Sequence, residues 1–175
     1  MQREQSHNEQ PPSSPTSDEL RAWRLFFESA MALLDVLGSE LEAEIGLSMR
    51  WYDVLVQLEE SPEGIAMNEL AEMILYSKSG FTRVVDRMEQ AGLVRRVRPE
   101  YDRRSILVVI TSAGEEMKER ARAYHRDGIE RHFAQHLSGT DVKALTRALE
   151  KISAHARPLR PGRLGGRASA IHSQG

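Results

Sequence analysis

The chain has 175 residues, 40% of them hydrophobic and 29% charged, with no cysteine and a formal net charge of −2. That length and balance suit one globular domain with a core of useful size, and the missing cysteines exclude a disulfide framework, a thiolate zinc cage and a cysteine redox switch. No apolar run approaches the ~18 residues of a membrane span, and the opening MQREQSHNEQPPSSPTS has no apolar signal core, so the expected location is the cytoplasm.

Residues 1–15 are polar and proline-bearing and are expected to be a disordered tail. Thr16 and Glu19 have capping-box spacing, which predicts a helix start. Leu20, Trp23, Phe27, Ala30, Leu34, Leu37 and Leu41 then follow at alternating spacings of three and four, a heptad seam. About 25 such residues make a rod of ~38 Å. A rod that long suggests packing against a second chain, with a long internal core helix as the alternative. Residues 16–47 are therefore expected to form an N-terminal dimerisation helix.

Ser48 can cap a second helix through MRWYDVLVQLEE, which Pro62 and Gly64 of SPEG should break. A short third helix is expected from Met67 to Leu75. A fourth is expected from Lys78 to Ala91, with Ser77 as its cap and Gly92 as its stop. Its apolar stripe is Phe81, Val84, Val85 and Met88, which leaves Lys78, Ser79, Thr82, Arg83 and Arg87 elsewhere on the cylinder. Strand candidates follow at 94–98 and 104–110, joined by PEYDR. The second (Ile106 to Ile110) lacks the polar half of an alternating strand, so it should be buried on both faces. Thr111 and Ser112 ahead of Glu115 suggest another capping box and a helix over about 113–136. Ser138 opens a last helix carrying Val142, Leu145, Leu149 and Ile152. The tail 156–175 is basic, rich in Pro and Gly, and expected to be disordered.

Charge is uneven along the chain. From Lys78 to Arg104 there are eight cations and four anions, an excess of four, while the remainder carries a net −6. A basic block inside an acidic protein is the footprint of a polyanion-binding face; a solvated charged hairpin is the alternative. Two short helices, a longer one and a basic hairpin make a helix-turn-helix with a wing. The longer helix fits the major groove, and a wing arginine can enter the neighbouring minor groove. The fold class is thus mainly α with a small antiparallel β-hairpin. A winged helix-turn-helix at 48–112 stands between the N-terminal helix and C-terminal dimerisation helices at 113–155.

The run NELAEMILYSKSGFTRVVDRMEQAGLVRRVRPEYDRRSILVVITSAGEE resembles the multiple antibiotic resistance regulator (MarR) family of transcription factors. Its most specific parts are the Asp-x-Arg pair, Asp102 and Arg104, and the Thr-x-x-Gly of Thr111 and Gly114. The resemblance implies a homodimer on near-palindromic double-stranded operator DNA, released by a small phenolic or carboxylate effector. It implies DNA contacts from Ser79, Thr82, Arg83 and Arg87, with Lys78 and Arg103 on the same basic surface. Arg104 would be the minor-groove arginine and Asp102 the carboxylate that orients it. The chain departs from the family pattern at Ala66, where a capping Thr or Ser is common, and at Leu75-Tyr76, where the turn often has Gly. Gly80 also stands in the expected first turn of the recognition helix.

Trp51, Tyr52 and Asp53 would border the family's ligand crevice, although Trp51 and Tyr52 serve equally well as core. His125, His132 and His136 could share one helix face and suggest a metal-responsive regulator as an alternative. No carboxylate or cysteine completes a motif there, and no metal or other cofactor is assigned. The absence of a phosphate loop, a metal motif or a nucleophile elbow argues against an enzyme. A winged-helix adaptor that binds protein rather than DNA is the third possibility.

Overall fold

The computed structural model describes residues 14–74, 80–99 and 105–156. Expectations for the two tails, for Lys78 and Ser79, and for Asp102, Arg103 and Arg104 fall outside the described residues.

Helix α1 spans Ser17–Ile45. Its capping box forms as the sequence predicts: Thr16 Oγ1 accepts the Glu19 N–H, and Glu19 Oε2 accepts the Thr16 N–H at 2.7 Å. Helix α2, Met49–Glu59, starts at the Ser48 cap and buries Tyr52, Val54, Leu55 and Leu58. Strand β1 is only Ile65–Ala66 and leads directly into helix α3, Met67–Met73, whose Ala66 cap offers no side-chain bond. Helix α4 is Phe81–Gln90, strand β2 Val94–Val97 and strand β3 Leu107–Ile110. Helix α5, Ser112–His132, a 3-10 turn at Ala134–His136 and helix α6, Gly139–Ala156, complete the described chain. The three strands form one antiparallel sheet in the order β1-β3-β2, with Val94 opposite Ile110 and Ile65 opposite Val108.

Several boundaries differ from the sequence reading for identifiable reasons. Helix α4 begins at Phe81 rather than Lys78, because Gly80 at the cap has φ +75, a left-handed conformation that a helix cannot contain. Gly80 is therefore a helix-start residue rather than a gap in the first turn. Strand β3 starts at Leu107 rather than 104. Helix α5 is capped by Thr111, with no box from Ser112 to Glu115; Glu115 pairs instead with Lys118. It ends at His132, where Phe133 leaves helical geometry, so the expected helix to 136 is split. Strand β1 was not anticipated, since two residues are too few for a period of two to register.

The core runs from Leu41 and Leu47 through Val54, Leu55, Leu58 and Leu70 to Val85, Met88, Val94 and Val108. Val108 and Val109 are both buried, so β3 is covered on two faces as expected. The α1 seam divides. Leu41 is fully buried, whereas Leu20, Trp23, Phe27 and Leu34 are 46–62% exposed.

The tightest joint lies at the start of α5. The Thr111 N–H donates to the Leu93 carbonyl at 3.1 Å, and the Thr111 hydroxyl donates to the Gly92 carbonyl at 2.6 Å while accepting the Gly114 N–H at 3.0 Å. A Cβ on Gly114 would overlap the Leu93 carbonyl oxygen and stand 2.8 Å from Ile110 Cγ1. The Thr-x-x-Gly pair thus closes helix onto backbone. Gly114→Ala is expected to destabilise the fold by about 1–3 kcal/mol, the scale of overpacking against atoms that cannot retreat. Urea denaturation checks this, with Gly139→Ala, which meets nothing within 4 Å, as the control expected to lose far less.

Candidate nucleic-acid interface

Helix α4 buries Phe81, Val85 and Met88 and so turns Thr82, Arg83 and Arg87 to solvent on its other side. These three are the expected recognition-helix residues within the described chain. Gly92, at φ +74, then reverses the chain into β2, where Arg95 and the following Arg98 are exposed. An open groove of about 470 Å³ separates the start of α3 from α4 and the root of the wing, lined among others by Asn68, Phe81, Thr82 and Ser105.

Arg96 does not belong to this exposed set. Its guanidinium bridges two carboxylates of α4, Glu89 Oε2 at 2.5 Å and Asp86 Oδ1 at 2.6 Å. Its own backbone N–H donates to Glu89 Oε1 at 2.8 Å. Burial disfavours the charged guanidinium, but the bonds to Asp86 and Glu89 outweigh it and hold the proton more firmly than usual. The arginine cluster at 95–104 is therefore not a uniform basic patch, because this member is an internal tie between strand and helix. The clue in the sequence is Asp86 and Glu89 at i and i+3, one helix face with two acids pointing the same way.

A second polar cluster joins α2 to α5. Lys118 is almost fully buried, 3.1 Å from Glu59 and paired also with Glu115, with Glu119 at 3.5 Å. Arg122 binds the other oxygen of Glu59. The Arg122 bond is the main reason that the Glu59 carboxyl sits below its ordinary value, with Lys118 adding to it against burial. Sequence reading missed this cluster. The α5 members follow helical spacing, but Glu59 is sixty residues away and nothing local indicates it.

The residues expected beside a ligand crevice have mixed surroundings. Tyr52 is buried, which pushes its hydroxyl above the usual range, and Trp51 packs half-buried against the core. Asp53 is half-buried on the same helix. The three histidines do not share a face. His125 lies edge-on to the Tyr52 ring at 5.4 Å, and His132 Nε2 is 2.7 Å from Glu40 Oε1. His136 lies beyond the end of α5 in the 3-10 turn. Among the described residues no three His, Cys, Asp or Glu side chains gather as a metal site.

Burial lowers the pKa of His125 below the usual 6.5, and its Nδ1 is buried without a hydrogen-bond partner. The unfolded chain then takes up a proton that the folded chain resists. Stability is full above about pH 6.5 and declines as pH falls from there toward the lower folded value. His125→Phe is expected to reduce the fall in melting temperature between about pH 7.5 and 5.5. An unchanged slope would mean that other groups govern the acid side.

Comparison with known proteins agrees with this geometry. A MarR family model matches residues 45–105. AbsC, a MarR family transcriptional regulator from Streptomyces coelicolor, is 35% identical with a TM-score of 0.73, over 83% of this chain and 99% of that one. Sco3205, a MarR family regulator of the same organism solved in complex with DNA, is 28% identical with a TM-score of 0.75, over 91% and 98%. CouR from Rhodococcus jostii RHA1, solved with p-coumaroyl-CoA bound, is 26% identical with a TM-score of 0.62, over 80% and 96%.

Proposed function

The chain belongs to the MarR family of transcriptional regulators, and we propose that it works as a homodimer on near-palindromic duplex DNA, released by a small effector. The observation that carries the DNA reading is the exposed face of Thr82, Arg83 and Arg87 beside Arg95 and Arg98. Lys78, Ser79, Arg103 and Arg104 extend that surface in this reading, with Asp102 orienting Arg104. The DNA complex of Sco3205 supports it.

The dimer reading rests on apolar side chains that one chain leaves uncovered. Leu20, Trp23, Phe27, Met31 and Leu34 on α1 and Val142 and Ile152 on α6 are all more than 40% exposed. A fully buried side chain of this kind is worth about 1.5–3 kcal/mol, so a second copy has ample reason to cover them. A two-fold dimer then places its half-sites about one helical turn apart, ~10 bp. A phenolic or carboxylate effector near Trp51, Tyr52 and Asp53 is the corresponding ligand reading, supported by the p-coumaroyl-CoA bound to CouR. A cytoplasmic location completes the proposal; among the described residues no helix is long and apolar enough to cross a membrane.

Two measurements test this reading. Phe27→Glu with Leu34→Glu is expected to give monomer or aggregate in sedimentation velocity, and an intact dimer would place the interface elsewhere. The wild-type protein is expected to bind genomic duplex with an affinity that falls steeply with salt, and Arg83→Ala and Arg87→Ala should each reduce the log–log slope by about 0.9. A flat salt dependence would favour the protein-binding adaptor.

A further inference from the structure

We infer that Arg96 is a positioning residue for DNA recognition: clasped by Asp86 and Glu89, it locks the wing to the reading helix at one angle. The inference rests on the DNA-binding reading above and goes beyond it. It concerns selectivity between duplexes rather than attraction to DNA.

The connection between α4 and β2 is short, Ala91 to Leu93, and is already held by the Leu93 N–H on the Met88 carbonyl. A single joint of this kind leaves a strand free to swing about its root. The Arg96 clasp adds a second attachment farther along β2, made of two ion pairs and a backbone bond from one residue to two acids on α4. A guanidinium suits that task because its planar donors can address two carboxylates at once, which an ammonium on a flexible stem does less well. Register carries the constraint onward, since Arg96 stands opposite Val108 in the fully buried part of β3. Helix, wing and core are thereby one body.

This rigidity has a consequence on a duplex. With α4 in the major groove, a wing at a fixed angle meets the neighbouring backbone at a fixed distance. Duplexes differ by sequence in groove width and in the cost of deforming them. A wing that swings would accept many such shapes; a locked wing binds well only the duplex that matches it. The clasp also explains why two carboxylates are retained on the DNA-facing helix, where charge alone would remove them.

That last point supplies the test, because charge and positioning predict opposite signs. The ligands are the tightest duplex that the wild-type protein selects from a randomised pool and a scrambled duplex of equal length. Asp86→Asn with Glu89→Gln takes two negative charges off the DNA face and unties Arg96. The clasp predicts scrambled duplex bound as tightly as before or tighter, with preference for the selected duplex reduced about tenfold. Arg96→Lys, which keeps the charge, should also lose preference while its salt slope stays at the wild-type value. Circular dichroism melts accompany both variants, whose substitutions are close in size. Preference retained or increased in the acid-free variant overturns the inference, as does a lysine variant with full preference. A wild-type protein that enriches no duplex overturns the DNA reading itself, which distinguishes the two failures.

Discussion

Helix α5 starts so close to the turn after α4 that only a glycine fits at position 114. Much of the arrangement depends on this approach. The turn at 91–93 links the reading helix to the wing, and α5 leads from it toward α6. Thr111 satisfies three polar groups in that corner, two carbonyls and one amide, so the helix end is buried without an unpaired donor. The helix that reads DNA and the helices that carry exposed apolar surface are thus attached to a common point. A change in the packing of α5 has a short mechanical path to α4.

Buried or half-buried cations do a different job from exposed ones. Arg96 joins β2 to α4, and Lys118 and Arg122 join α5 to α2 through Glu59. Such pairs gain little net stability, because removing each charge from water offsets much of the attraction. Their value lies in geometry, since each admits few alternative arrangements. The cations left at the surface of the reading unit, Arg83, Arg87, Arg95 and Arg98, are the ones able to meet a polyanion. A net charge of −2 says little about such a molecule. The distribution decides what it can bind.

How much was legible follows from the range of each signal. Thr16, Ser48 and Ser138 cap helices as their local spacing predicts, because capping involves residues three apart. The stripe of Phe81, Val85 and Met88 correctly turned Thr82, Arg83 and Arg87 outward. Gly80 misled as to where α4 starts, because a glycine at φ +75 looks the same in sequence as one inside a helix. Strand β1 has only two residues and exists because β3 is there to receive it. Arg96 was grouped with its neighbours because a count of arginines cannot tell a tied side chain from a free one. The contact of His125 with Tyr52 and the pairing of Glu59 with Lys118 join distant segments, and no local pattern announces them.

The central claim is that two such chains, joined through the apolar faces of α1 and α6, present two helix-wing units to one duplex. The α1 seam is what gives it physical force: Leu41 is part of the core, while Trp23 and Phe27 stack on each other in solvent when the chain is alone. The most direct measurement is the mass of the complex in sedimentation equilibrium, with protein titrated against a selected near-palindromic duplex. The account predicts two chains per duplex at saturation and no population carrying one chain as protein is diluted. A stable complex of a single chain with one duplex would contradict it.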